Sequence, residues 1–216
     1  MVFSLDKSIV GFPDPRLAEE DGLLAIGGDL TPEWLELAYH YGIFPWYDMT
    51  MPEPVWYCPH ERFVIFPEEI HISHSMKQLM HQKRYRVSCN EAFEQVMRNC
   101  GKAQGRDQQE GAWLGERIIE AYTRMYRLQY ALSVEVWDKE QLVGGLYGIV
   151  IGKNIIGESM FSLVPNASKL ALITLAQSMQ GSGGIIDCQL ETPHLKSMGG
   201  RYISYDEYME YINNLK

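Results

Sequence analysis

The segment LVGGLYG (Leu142–Gly148), followed by GESMFS (Gly157–Ser162), NASK (Asn166–Lys169) and IIDCQ (Ile185–Gln189), decides the fold. Its polar residues sit where a globular chain normally buries aliphatics. Glu158 follows Asn154-Ile155-Ile156-Gly157, and Asp187 and Gln189 follow Gly183-Gly184-Ile185-Ile186. Residues i and i+2 of a strand share a face, so Asp187 and Gln189 are expected to point one way and Cys188 the other. A carboxylate beside a carboxamide at a strand end is either a costly buried pair or a working site.

Around that segment the pattern reads as a β-meander. Ala131–Trp137 alternates, with Leu132, Val134 and Val136 on one face; Leu142–Ile151 and Asn154–Ser159 follow after short turns. Gly144, Gly145 and Gly148 lie inside the middle strand, where glycine marks a bulge or the close approach of another backbone. A helix capped by Asn166 runs to Met179, and a strand over Ile185–Gln189 comes next. The chain closes with a helix over Tyr208–Leu215.

Upstream, Phe63–Phe66 and Tyr85–Cys89 read as strands and Ser73–Gln82 as a helix. Asn90 is expected to cap a helix through Cys100, and another runs from Glu116 to Leu128. Residues 1–60 differ in being rich in Pro, Gly and aromatics, which suggests a small N-terminal α/β domain ahead of a domain over 61–216. Thr31-Pro32 is a helix start and Gly42 a stop. Gly42-Ile-Phe-Pro-Trp-Tyr47 is an aromatic loop, either a core plug or a stacking platform for a base. The proline-rich stretch from Met49 to Pro59 reads as a linker.

Composition narrows the function classes. The chain has 216 residues, 46% hydrophobic and 22% charged, as in an ordinary globular protein. No apolar window is long enough for a membrane span and no secretory signal is visible, so a cytoplasmic protein with no membrane partner is expected; a monomer is a separate expectation. The four cysteines, Cys58, Cys89, Cys100 and Cys188, form no CxxC pair, which argues for reduced thiols and against structural zinc; no metal is expected. A net charge of −9 argues against general nucleic-acid affinity but permits a local basic patch. Lys77, Lys83, Arg84 and Arg86 supply one, readable also as a solvated face.

A meander, then a helix, then another strand suggests an α+β, GNAT-like acyltransferase core, in which central strands splay and donor and amine meet in the gap. Such a fold using coenzyme A needs a glycine-rich pyrophosphate loop before the helix. That place holds Ser162-Leu-Val-Pro-Asn-Ala-Ser168, without glycine, so coenzyme A is disfavoured as donor. A CoA-dependent N-acyltransferase stays as the alternative enzyme. A non-catalytic binding module is the alternative outside catalysis.

The motifs GLLAIGGDL, GIFPWY, EGAWLGERIIEAY, SVEVWDKEQLVGGLYG, GESMFS, NASK, IDCQ and HLKSMGG occur in an order and at spacings that resemble the leucyl/phenylalanyl-tRNA–protein transferases. The similarity covers nearly the whole chain. It implies transfer of Leu or Phe, with Met a further donor, from aminoacyl-tRNA to the N-terminal Arg or Lys of an acceptor, which creates an N-degron. No cofactor is implied, because the aminoacyl ester is already activated. The non-catalytic alternative is then a module binding a tRNA end or a degron.

The resemblance implies that Asp187 and Gln189 are catalytic, Gln189 positioning the attacking amine and Asp187 orienting it. The proton can also leave through the adenosine 2′-hydroxyl. Glu158 matches a residue near the substrate amines. Leu146, Met160, Leu172, Leu175 and Ile186 match positions lining a pocket for the donor side chain, and generic core packing is the other reading of each. Tyr39, Trp46, Trp113 and Tyr122 match aromatics around the 3′-adenosine or aminoacyl group, and the run Lys77–Arg86 becomes an acceptor-stem contact. Ala112, Leu132 and Ser204-Tyr205 depart from the family's usual residues.

Overall fold

The computed structural model describes residues 2–46, 52–102 and 115–213. The first elements are β1 (Phe3–Leu5), β2 (Leu23–Gly27), α1 (Pro32–His40), β3 (Phe44–Trp46) and β4 (Val55–Tyr57). They form a four-stranded sheet in the order β1-β2-β4-β3, with α1 packed beside it. β4 lies in the stretch expected to be a linker. Its prolines flank the strand instead of interrupting it, and Trp56 is anchored by its indole N–H to the Gly27 carbonyl at 2.8 Å.

Proline at the first position starts α1, and Thr31 adds no side-chain cap. Gly42 ends the turn with φ +71°, and a Cβ there would meet the Tyr208 ring at 2.9 Å. Both the left-handed backbone and the lack of space require glycine.

The second part comprises β5 (Glu61–Ile65), α2 (His74–His81), β6 (Arg86–Cys89), α3 (Phe93–Lys102) and α4 (Glu116–Arg127). The meander β7 (Ala131–Asp138), β8 (Gln141–Ile151) and β9 (Asn154–Ser162) follows, then α5 (Ala167–Met179). The chain continues through β10 (Ile186–Asp187), α6 (Pro193–Ser197), β11 (Arg201–Ser204) and α7 (Tyr205–Asn213). These seven strands make one sheet in the order β11-β5-β10-β9-β8-β7-β6. The fold is therefore α+β, as expected.

Three expectations are corrected. Asn90 does not cap α3: it adopts φ +62°, and its side chain accepts from the Ser133 N–H at 2.9 Å. The expected strand over Ile185–Gln189 is only Ile186–Asp187, because Gln189 turns out of it at φ +57°. The C-terminal helix begins at Tyr205, not Tyr208.

The seven-stranded sheet has a core on each side. One contains α5 together with Met76 of α2, Leu146, Ile155 and Ile186. The other joins α3, α4 and α7 to α1 and the small sheet, through Tyr39, Tyr122, Tyr147 and Tyr208. Among the described residues no helix is long and apolar enough to cross a membrane.

Gly144 sets the seating of α5. A Cβ there would lie 2.4 Å from the Ala167 Cβ and 3.0 Å from its carbonyl carbon. We expect Gly144→Ala to cost about 1–3 kcal/mol, because helix backbone has to move. At about 2–4 °C per kcal/mol for this chain length, a thermal melt resolves the loss, and an unchanged midpoint would refute the close seating.

Candidate active site

Two interruptions of the sheet build the site. The first is a bulge in β9. Tyr147 of β8 faces Ser159 and Gly148 faces Gly157, so Glu158 is the extra residue. A bulge re-aims the side chain it carries. Here it turns Glu158 onto the side of Tyr39 and Tyr122. The Tyr39 hydroxyl donates to Glu158 Oε1 at 2.7 Å and the Tyr122 hydroxyl to Oε2 at 3.1 Å, and the two phenols also touch each other.

The second interruption is a parting of strands. β10 runs parallel to β9 only at Ile186↔Ile155 and Asp187↔Ile156. Beyond Asp187 the chain stays with β5: Cys188 N–H donates to the Phe63 carbonyl at 2.8 Å, and Phe63 N–H to the Gln189 carbonyl at 3.2 Å. β9 continues past that point paired with β8 alone, and its residues 157–160 are half-buried between buried Ile156 and Phe161. Across the opening the Gln189 carboxamide reaches Glu158 Oε1 at 3.4 Å.

Asp187 stands behind this opening and is fully buried. Its Oδ1 accepts from the Gln189 backbone N–H at 2.8 Å, a side-chain turn that holds Gln189 in its left-handed conformation. Asp187 and Gln189 therefore do not lie side by side on one strand face. They are joined through backbone, and Gln189's side chain turns to Glu158 instead.

Sequence reasoning missed the partner of Asp187. Arg62, on β5 and 1% exposed, grips both carboxylate oxygens through Nε at 3.0–3.1 Å and through Nη2 at 2.9 Å. Its Nη1 donates to the Gly42 carbonyl at 2.7 Å, and its guanidinium packs on the Phe44 and Tyr208 rings at 5.0 and 4.6 Å. Burial works against its charge, but the charge and hydrogen bond of Asp187, together with Tyr208 and Cys58, hold its pKa above the usual range. The only hint in sequence was a cation inside the strand run Glu61-Arg62-Phe63-Val64-Ile65.

Glu158 differs electrostatically. Burial raises its pKa to about 7, against the lowering pull of the Tyr39 and Tyr122 hydroxyls, and Asp187 pushes the same way as burial. Both tyrosines are raised in turn, by burial first and the Glu158 charge second. A carboxylate held by two phenols beside a carboxamide can bind an ammonium group and can exchange a proton near neutrality.

Residues 64–213 match the family described as leucyl/phenylalanyl-tRNA protein transferase, and residues 28–60 match that family's N-terminal domain. The chain belongs to the leucyl/phenylalanyl-tRNA protein transferase family. It is 47% identical over 213 residues to the leucyl/phenylalanyl-tRNA–protein transferase of Hydrogenovibrio crunogenus, covering 97% of this chain and 82% of that one. It is 43% identical over 215 residues to that of Shigella dysenteriae, covering 98% and 90%. The Escherichia coli K12 protein of the same name gives the same identity and coverage. The chain is thus a transferase by family.

The other residues singled out in this transferase sequence fall into distinct places. Tyr39 and Tyr122 are 0% and 1% exposed, so their rings are closed to base stacking and their hydroxyls serve Glu158. Trp46 is 46% exposed and meets the Tyr57 ring edge-on. Trp113 and Ala112 lie outside the described residues. Leu146, Leu172, Leu175 and Ile186 are packed in the α5 core, and half-buried Met160 packs against it. That core lies on the opposite sheet face from Tyr39 and Tyr122, and the parting of β9 from β10 is the break in the sheet between the two sets.

The basic run is partly neutralised. Arg84 pairs with Asp138 at 3.3 Å and Arg86 with Glu91 at 2.8 Å, while Lys77 and Lys83 are exposed. The NASK motif stands apart: Asn166 takes a left-handed conformation at the start of α5 and, unlike the cap expected, makes no side-chain capping hydrogen bond, while Ser168 and Lys169 line a cavity of about 340 Å³ with His194.

Proposed function

We propose that this family member moves leucine or phenylalanine, and also methionine, from aminoacyl-tRNA to the N-terminal Arg or Lys of acceptor proteins, creating an N-degron. The observation that carries the reading is the opening between β9 and β10, with Glu158 on one lip and Gln189 on the other. It supports a GNAT-like catalytic unit over 61–216, with 1–60 as a smaller unit that supplies Tyr39 and Trp46. Its partners are the charged tRNA and the acceptor, and the chemistry asks for no cofactor.

The reaction forms one C–N bond and breaks the ester C–O bond. The attacking α-amine loses a proton and the departing 3′-oxygen gains one. The work left to the protein is alignment, because the ester is already activated. Gln189 positions the amine; a carboxamide is a weak base but presents both a donor and an acceptor. Asp187 fixes the Gln189 backbone. Glu158 holds an α-ammonium group or takes its proton, and Tyr39 and Tyr122 hold Glu158. The adenosine 2′-hydroxyl is an alternative path for the proton.

The donor side chain enters the α5 side through Met160 and Ile186, toward Leu146, Leu172 and Leu175. Such a lining rejects β-branched donors by shape, at about 1–3 kcal/mol per methyl-sized mismatch. Trp46 and Trp113 receive the terminal adenosine, where stacking suits an invariant CCA end. Lys77, Lys83, Arg84 and Arg86 meet acceptor-stem phosphates; their surface ion pairs are weak enough to exchange for them.

The test combines the protein with leucyl-tRNA and a peptide beginning with Arg. Leucine is expected on the peptide's N-terminus, and an acetylated peptide is expected to receive none. Transfer from an acyl-CoA with none from leucyl-tRNA would overturn the reading. Binding of both substrates without turnover would make the chain a recognition module.

A further inference from the structure

We propose that Arg62 is a positioning residue of the transfer reaction: its fork on Asp187 sets the Gln189 backbone, and through it the carboxamide facing Glu158. This rests on the transferase reading of the site. Four observations converge on it. The guanidinium engages both Asp187 oxygens, so the carboxylate has no freedom to rotate. The same carboxylate then spends Oδ1 on the Gln189 N–H, which fixes a non-glycine residue at φ +57°. An L-residue is held in that region only by its surroundings. Nη1 is bound to the Gly42 carbonyl, at the head of the loop that leads to Trp46. One buried side chain therefore ties the turn into β3, the aromatic strand of the small sheet, to the strand end that carries Gln189.

The rings of Phe44 and Tyr208 on the guanidinium, and the Tyr208 hydroxyl at 3.5 Å from Nη2, leave Arg62 little room for another arrangement. A planar fork is needed for this geometry, and an ammonium group cannot reproduce it. Arg62 makes its hydrogen bonds to Asp187, Gly42 and Tyr208, and acts on Gln189 through Asp187.

Arg62→Lys keeps the charge and removes the fork. We expect kcat for leucine transfer to fall on the order of 10²-fold, the loss typical of a misplaced reacting group, with KM for leucyl-tRNA unchanged. Arg62→Lys combined with Asp187→Asn is expected to lose no more than the worse single variant, because the two act as one unit. A purely structural Arg62 would instead lower the melting temperature and leave kcat of the folded protein intact, and that result would overturn the proposal, as would additive losses in kcat.

A second arm needs no catalysis. Amide hydrogen exchange at Gln189 is expected to be slow in the unmodified protein and fast in Arg62→Lys. Fast exchange at Gln189 in the unmodified protein would overturn the proposal even if Arg62→Lys fails to fold. Absence of leucine transfer by the unmodified protein, with Gln189 protected, would count against the transferase reading and leave the Arg62 linkage standing.

Discussion

Asp187→Ala is expected to lose transfer activity and stability together. The substitution removes the only carboxylate in salt-bridge contact with Arg62 among the described residues, and leaves a guanidinium that is 1% exposed. Breaking a buried pair by deleting one partner costs about 3–5 kcal/mol, most of it the uncompensated charge. For a chain of this length that is a fall of about 10 °C in Tm. Activity is expected to drop by at least about 10²-fold, because the Gln189 N–H loses its acceptor and the carboxamide loses its aim. The two effects are separated by measuring kcat well below the variant's own melting transition, with circular dichroism reporting the folded fraction. A folded Asp187→Ala protein that transfers leucine at the normal rate would remove Asp187 from the mechanism.

That double consequence was not legible in the sequence. Asp187 stood out because it follows an apolar run, but its partner is 125 positions away and sits in an ordinary strand. Local pattern identifies a costly carboxylate; only topology shows what compensates it. The same holds for Gln189. A period of two aligns it with Asp187, but the Asp187 side chain bends the backbone and breaks that period. Local hydrogen bonding by an Asp side chain competes with the strand ladder and wins at a strand end.

Other parts were legible for stated reasons. The meander β7–β9 showed because its turns are short and Ala131–Trp137 alternates in sequence. Helix α5 showed as a long apolar stretch between a cap signal and a glycine cluster, and nine of its thirteen residues are buried. The glycines of β8 announced a close approach, and Gly144 against Ala167 is that approach. β3, β4 and β11 were hidden, since three or four residues are too few to show a period. Glu158 was visible as a polar residue in an apolar strand, but its direction depends on a bulge that sequence does not announce. The aromatic residues were legible as a set, whereas their division was not. Tyr39 and Tyr122 are buried supports, and Trp46 faces outward.

The bulge makes Glu158 the site's most pH-sensitive group. Its pKa is raised to about 7 in the folded protein, chiefly by burial, from an ordinary carboxylate value of 4.5. Between those values the folded state holds the proton more tightly than the unfolded state. Its contribution to stability is therefore complete below about pH 4.5 and is lost as pH rises through about 7. The size is about 2–3 kcal/mol once partial exposure to water is allowed for. Glu158→Gln removes the titration, keeps the shape, and presents one oxygen and one NH2 to the two phenols. We expect its unfolding free energy to be flatter between pH 5 and 8, and to exceed that of the unmodified protein at pH 8 by about 1–2 kcal/mol. Urea melts across that range measure both. The same variant is expected to lose transfer, since a neutral amide neither holds an α-ammonium group nor accepts its proton. A more stable but inactive Glu158→Gln would mean that the chain keeps a destabilising carboxylate for chemistry. Full activity in Glu158→Gln would leave the proton to the adenosine 2′-hydroxyl and reduce Glu158 to a spacer between two tyrosines.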